Sequence, residues 1–183
     1  MLLAACASTP PAAPPALPPV VSGDGFALEG RISVSHGSQS LSGKIGWAHE
    51  AARDEIGLAS PLGNQLARLV RNDAGVTLTD GEQKTTRAPD AETLTEQTLG
   101  WRLPLAGLVE WVRGRPSAGV PDQVRRDAQG RLEYLAQSDW RIDYAYDDSG
   151  AAPARLPRRL LMRYVKAAEP LEIRIVIDQW STP

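Results

Sequence analysis

The chain is poor in several things, and each scarcity narrows what it can do. Cysteine occurs once, at Cys6, so no internal disulfide framework can form. Histidine occurs twice, as His36 and His49, and neither has a His or Cys neighbour at metal-ligand spacing. No run of about 20 apolar residues exists that could cross a bilayer as a helix. Basic and acidic residues nearly balance, 20 against 22, and they are interspersed, so there is no basic stripe to follow a nucleic acid. The G-x-S-x-G, P-loop and G-x-G-x-x-G patterns are all missing. The adjacent acids Asp147-Asp148 fall in a Gly/Ala/Pro-rich loop, where solvation rather than catalysis is expected. A triad assembled from distant residues would escape such a survey, but no residue recommends a hydrolase. Phenylalanine is nearly lacking too: one Phe stands against five Trp and four Tyr, whose polar handles suit wet-edged pockets as well as cores.

What is present begins at the N-terminus. Leu3-Ala4-Ala5-Cys6 has the form of a bacterial lipobox, an apolar residue and two small ones before a thiol. On that reading residues 1–5 are residual signal peptide and Cys6 carries a diacylglycerol, with a further acyl chain on the freed amine; no other cofactor is expected. A secretory signal has a charged start and an apolar stretch of about 7 to 15 residues. No Lys or Arg precedes Cys6, so Met1–Ala5 is expected to be the tail of a longer signal. Residues 6–22 form the lipidated cysteine and its tether: Ala7–Ser22 holds six prolines and no charge, a composition that favours extended polyproline II. At about 3.1 Å per residue it reaches roughly 50 Å.

Residues 23–183 then read as one domain. Phe26, Leu28, Gly30, Ile32 and Val34 alternate with Ala27, Glu29, Arg31, Ser33 and Ser35; Leu41, Gly43, Ile45 and Trp47 continue the pattern. Period-two alternation of this kind predicts strands with one buried face. Further strands are expected at Glu55–Ala59, Gln65–Arg71, Gly75–Thr79 and Gln83–Arg87, the last pair joined by a tight turn at Asp80-Gly81. The period then changes. Asp90 is a candidate N-cap for a helix whose face carries Ala91, Leu94 and Thr98 and which Gly100 stops. Pro104 opens a second helix with Leu105, Leu108, Val109 and Val112 in one stripe, Trp111 beside it, closed by Gly114 and Pro116. Strands resume at Leu132–Leu135, Trp140–Tyr146, Leu160–Tyr164 and Leu171–Ile177. Ten or eleven antiparallel strands exceed what a flat sheet tolerates. The expected fold is therefore mainly β: an open antiparallel barrel of about 11 strands, its concave face capped by a short helical lid.

Alternation puts Ile32, Val34, Ile45, Trp47, Ile56, Leu58, Leu105, Leu108, Trp111, Ile142, Tyr144, Met162, Tyr164, Ile173 and Ile175 on that apolar face. Such a face can be a dry core or a cavity for an acyl chain, and patterning does not separate the two. A structural lipoprotein gripping a protein partner would share the anchor and the tether.

Several segments, taken in order, resemble the outer-membrane lipoprotein receptor family LolB. They are the lipobox with its proline-rich tail, Phe26-Ala27-Leu28-Glu29-Gly30-Arg31, Ser42-Gly43 with Trp47, Ser60-Pro61-Leu62-Gly63, and Gly100-Trp101-Arg102-Leu103-Pro104-Leu105 leading to Leu108, Trp111 and Gly114. The closing strand ending at Asp178-Gln179-Trp180 completes the set. The resemblance implies a non-enzymatic, monomeric receptor, anchored at the periplasmic side of the outer membrane. It would accept acylated lipoproteins from a periplasmic carrier and place them among outer-membrane lipids. It also implies that the turn Pro61-Leu62-Gly63 projects a leucine needed for that insertion. Ala7 rather than Asp after Cys6 is consistent with outer-membrane sorting.

Overall fold

The computed structural model describes residues 24–99, 102–147, 155–166 and 169–181. The lipobox, Cys6, the proline-rich tether and the Gly100-Trp101 pair lie outside them. Eleven strands and two helices follow one another as β1 (Phe26–His36), β2 (Gln39–Glu50), β3 (Arg53–Ala59), β4 (Gln65–Asn72), β5 (Gly75–Asp80), β6 (Thr85–Ala88), α1 (Ala91–Leu99), α2 (Leu105–Trp111), β7 (Gln123–Arg126), β8 (Leu132–Gln137), β9 (Trp140–Ala145), β10 (Arg159–Tyr164) and β11 (Leu171–Ser181).

All eleven strands share one antiparallel sheet in the order β6-β5-β4-β3-β2-β1-β11-β10-β9-β8-β7. The chain winds outward from β1 to one edge, crosses through both helices to the other edge, and meanders back until β11 lies beside β1. The two edges, β6 and β7, are thus joined by the helical crossing and not by hydrogen bonds. This is the open barrel with a helical cap that the sequence predicts.

Cross-strand rows explain why these residues fold this way. Leu41, Val34, Ile173, Met162, Ile142, Leu135 and Val124 stand directly opposite one another across seven strands. Leu28, Trp47, Ile56, Leu69 and Leu78 form a second row across β1 to β5. Because side chains alternate along each strand, both rows face the same side, the side on which the helices lie. A bulge between Glu29 and Gly30 bends β1 where it meets β11. A Cβ at position 30 would run into the backbone carbonyl of Val176, so this strand position requires glycine.

The structure corrects several details. Strand β7 has no counterpart in the sequence reading; its four residues are all exposed, so no alternation marks it. The strand expected from Gln83 begins at Thr85, because the turn is wider than Asp80-Gly81. There Asp80 accepts the backbone N–H groups of Glu82 and Lys84 through its side chain, and Gln83 adopts a left-handed φ of 66°. In α1 the inward face is Ala91, Leu94 and Thr95, not Thr98, which is exposed and donates to the Leu94 carbonyl. Asp90 caps α1 as expected, its carboxylate accepting the Thr93 N–H at 2.7 Å. Pro104 precedes α2 and does not begin it.

Candidate functional site

The fifteen residues expected on the apolar face belong to one cluster. Ile45, Trp47, Leu105, Leu108, Trp111, Ile142, Tyr144, Met162, Ile173 and Ile175 are buried in it. Ile32, Val34, Ile56, Leu58 and Tyr164 are half-buried and pack against it. The difference has a spatial pattern. On the β8–β10 side the wall is closed by α2, whose Trp111 ring lies 6.2 Å from that of Trp140. On β1 to β3 the inner side chains Ile32, Val34, Ile56 and Leu58 keep part of their surface, and Leu41 is 41% exposed. The apolar face is therefore accessible around Ile32, Val34, Leu41, Ile56 and Leu58, while Phe26, Leu28, Ile45 and Trp47 on the same strands are buried.

Helix α2 has only seven residues and no side-chain cap, so its position depends on tertiary contacts. Leu105, Leu108, Val109 and Trp111 point inward. Just beyond it, Arg113 donates to the Asp24 carbonyl and lies over the Phe26 ring at 5.3 Å, fastening the helix end to the start of β1.

Toward that same end a polar row crosses the inner face, which the sequence reading missed. Phe26, His49, Asp54, Arg71 and Val76 stand opposite one another on β1 to β5. Asp54 is fully buried. One carboxylate oxygen accepts the Trp47 Nε1–H at 2.9 Å and lies 2.7 Å from His49 Nδ1, while the other accepts Arg71 Nε–H at 2.5 Å. Burial pushes the Asp54 pKa up, but the hydrogen bonds from His49, Trp47 and Arg71 outweigh it and hold the carboxyl below its ordinary value. The available signal was parity: Trp47 and His49 lie on the inward side of one strand, and a buried indole N–H and imidazole require a partner.

Tyr144 adds a different polar feature. It shares a row with Ile32, Ile175 and Leu160, and its buried hydroxyl has no hydrogen-bond partner among the described residues. Burial raises its pKa, so it remains a neutral donor. On the outer surface, a groove of about 480 Å³ is lined by Arg31, Tyr146, Asp147, Arg158, Arg159 and Val176. Its charged lining, in which Arg31 pairs with the neighbouring Asp178 at 3.0 Å, does not suit an acyl chain.

Leu62 stands apart from all of this. The turn between β3 and β4 is closed by Ser60, whose carbonyl accepts the Gly63 N–H at 2.9 Å and whose Oγ accepts the Asn64 N–H at 3.1 Å. Gly63 takes a φ of +91°, open to glycine without strain. With Pro61 before it and Gly63 after it, the Leu62 side chain is 91% exposed. A large apolar side chain is thus held far out into solvent on a well-formed turn.

An open antiparallel half-barrel, an apolar inner face under a helical cap and an isolated leucine on its turn define a lipoprotein-binding protein of the LolA/LolB type. A crystal structure of a LolA superfamily protein from Nitrosomonas europaea shares the fold, with a TM-score of 0.52 at 8% identity, covering 87% of this chain and 86% of that one. The family model described as "Outer membrane lipoprotein LolB" matches residues 24–180. The outer-membrane lipoprotein LolB of Thiobacillus denitrificans is 38% identical over 180 residues, which is 98% of this chain and 92% of that protein. The one from Chromobacterium violaceum is 37% identical over 182 residues, 99% and 94% of the respective lengths. The chain belongs to the LolB family: non-enzymatic receptors that incorporate lipoproteins into the outer membrane and work with a lipoprotein carrier.

Proposed function

We propose that this chain receives the acyl chains of a lipoprotein on the inner face of its half-barrel and passes them into the bilayer at the turn bearing Leu62. The observation that carries this reading is the asymmetry of the apolar face. It is closed under α2 and accessible along Ile32, Val34, Leu41, Ile56 and Leu58. An acyl chain lying there contacts apolar side chains, and the Tyr144 hydroxyl, buried in the same inner row as Ile32, becomes a donor for an ester carbonyl once its neighbours move aside.

Energetics set the direction. Burial stabilises an acyl chain by about 0.8 kcal/mol per CH₂, so a lipoprotein does not leave its carrier for water at a useful rate. Transfer proceeds down a series of affinities, from carrier to receptor to bilayer, each step favoured by a better sink. The receptor's inner face must therefore bind well enough to unload the carrier and loosely enough to release to lipid. Cys6, acylated, holds the domain at the periplasmic side of the outer membrane, and the proline-rich tether lets it turn. The receptor works as a monomer, since one half-barrel supplies the whole apolar face.

Transfer from a loaded carrier to the purified full-length protein, followed by delivery to liposomes, tests the reading. The wild type is expected to take cargo and release it to lipid. Leu62→Glu is expected to take cargo normally but to deliver at least about tenfold more slowly, because a carboxylate is costly to bring into the lipid interface. No uptake by the wild type would refute the receptor role; equal delivery by Leu62→Glu would remove the turn from the mechanism. Mass spectrometry of membrane-extracted protein, read at Cys6, checks the anchor.

A further inference from the structure

Among the described residues five large apolar side chains are exposed: Leu41 (41%), Leu62 (91%), Val120 (93%), Val124 (38%) and Val165 (46%). They are scattered in sequence from position 41 to 165, yet the strand directions bring them to one end of the barrel. Strand β1 runs from Phe26 toward His36, and every neighbour in the sheet is antiparallel. The turns after β1, β3, β8 and β10, and the approach to β7, therefore all lie at the His36 end. Register makes this concrete. Leu41 and Val124 are the two outer members of the row that contains Val34, while Val165 follows directly on Tyr164, which pairs with Leu171 opposite His36. The opposite end carries turns such as Ala51-Ala52, Asp73-Ala74 and Asp127–Gly130, without one exposed large apolar side chain among the described residues.

Val120 is presented as deliberately as Leu62. It sits between Gly119, at φ +99°, and Pro121. The loop behind it is held by Gln137, itself buried. The Gln137 amide donates to the carbonyls of Ser117 and Gly119 at 3.1 and 3.3 Å, and its oxygen accepts the Ser117 N–H at 2.9 Å and the Trp111 Nε1–H at 3.1 Å. All four hydrogen-bonding positions of one amide are spent on this loop and on the helix beside it. A loop fixed so completely, with its only large apolar side chain pointing into water, is built for contact.

We propose that this end of the barrel is a bilayer-docking rim, on which Val120 is a second apolar finger opposite Leu62. The domain sits rim-down on the lipid surface. Leu41 and Val124 continue the rim directly into the apolar inner row, so a chain leaving that face meets lipid without crossing water. The length of chain outside the described residues fits this orientation. The chain enters the barrel at Asp24, the end away from the rim. Strand β1 has 11 residues, about 36 Å at roughly 3.3 Å each. The stretch from Cys6 to Asp24 spans roughly 50 Å when extended, enough to run the height of the barrel back to the membrane. The inference rests on the receptor reading above but is tested without cargo, so the two can fail separately.

The sequence offers a convenient probe, since Cys6 is its only cysteine. In the full-length Cys6→Ala background, Leu62→Cys, Val120→Cys, Val165→Cys and Ala74→Cys each give a single thiol for an environment-sensitive dye. With phosphatidylethanolamine/phosphatidylglycerol vesicles carrying nitroxide lipid, quenching is expected at positions 62, 120 and 165 and not at 74, on the far turn. Val120→Ser in the same background should weaken vesicle partitioning by about fivefold with the melting temperature unchanged. Quenching at 62 alone would overturn the second finger, and equal quenching at all four positions would mean unoriented adsorption and overturn the rim. Dye responses at 62 and 120 to a loaded carrier but not to vesicles would make the rim a protein interface and equally refute the proposal.

Discussion

Asp54 joins three strands through one buried carboxylate. It ties β2, β3 and β4 together through Trp47, His49 and Arg71, and it does so where no water reaches it. Removing the carboxylate leaves a half-exposed guanidinium and a buried imidazole and indole N–H without their partner, so Asp54→Ala is expected to cost about 2–4 kcal/mol. The same carboxylate makes stability depend on acid. Its folded pKa lies below the ordinary value, so its contribution is fully present above the unfolded pKa of about 3.9 and is lost as pH falls through the lower folded value. Urea melts between pH 6 and pH 3 should show the wild type losing stability at the acid end and Asp54→Asn, weaker throughout, losing less; parallel slopes would count against this account. Legibility at this scale was uneven. Leu62 was singled out by the resemblance of Ser60-Pro61-Leu62-Gly63 to the LolB family, because the flanking Pro61 and Gly63 alone leave a leucine packed into the core the commoner expectation. Asp54 could not, since it lies one residue outside the expected Glu55–Ala59 strand and charged residues near strand ends are ordinarily solvated.

The strands were legible wherever one face is buried, since burial writes a period of two into the sequence, as in Trp140, Ile142 and Tyr144 of β9. Strand β7 carries no such mark: it is an edge paired only with β8, and all four of its residues are exposed. Helix α2 was legible from Leu105, Leu108, Val109 and Val112, but what positions it was not, because Gln137 acts on it from 26 residues away. That amide predicts how the crossing behaves as a unit. Gln137→Leu keeps the volume but leaves the Trp111 indole N–H and the Ser117 N–H unpaired, at a cost of about 1–3 kcal/mol. Hydrogen exchange should then quicken from Trp111 through Asp122, while β1, β2 and β11 keep their protection. Uniform quickening across the sheet would mean that the crossing and the barrel open together, and that α2 is no separate lid.

For the molecule as a whole, the crossing between edges β6 and β7 decides the architecture. It covers the β8–β10 side of the inner face and leaves Ile32, Val34, Leu41, Ile56 and Leu58 of β1 to β3 part-accessible, so the half-barrel has a closed part, an open part, a polar row toward the end where the chain enters and exposed apolar side chains at the other. A receptor arranged in this way has a direction. With the rim docked as proposed, cargo leaves toward it, and an anchor on Cys6 must allow the rim to reach the membrane from an attachment at the far end. Tether length then becomes a functional quantity with a threshold. Deleting residues 9–19 leaves six of the residues between Cys6 and Asp24 and shortens the reach to roughly 20–25 Å, less than the height of about 36 Å set by β1. The lipidated deletion variant is expected to accept cargo from the carrier as the full-length protein does, yet to deliver it to its own membrane several-fold more slowly. Replacing the deleted stretch with a Gly/Ser linker of equal or greater length should restore delivery, since reach rather than sequence is what the tether supplies. Full delivery by the short tether would mean that the domain works with its entry end toward the membrane.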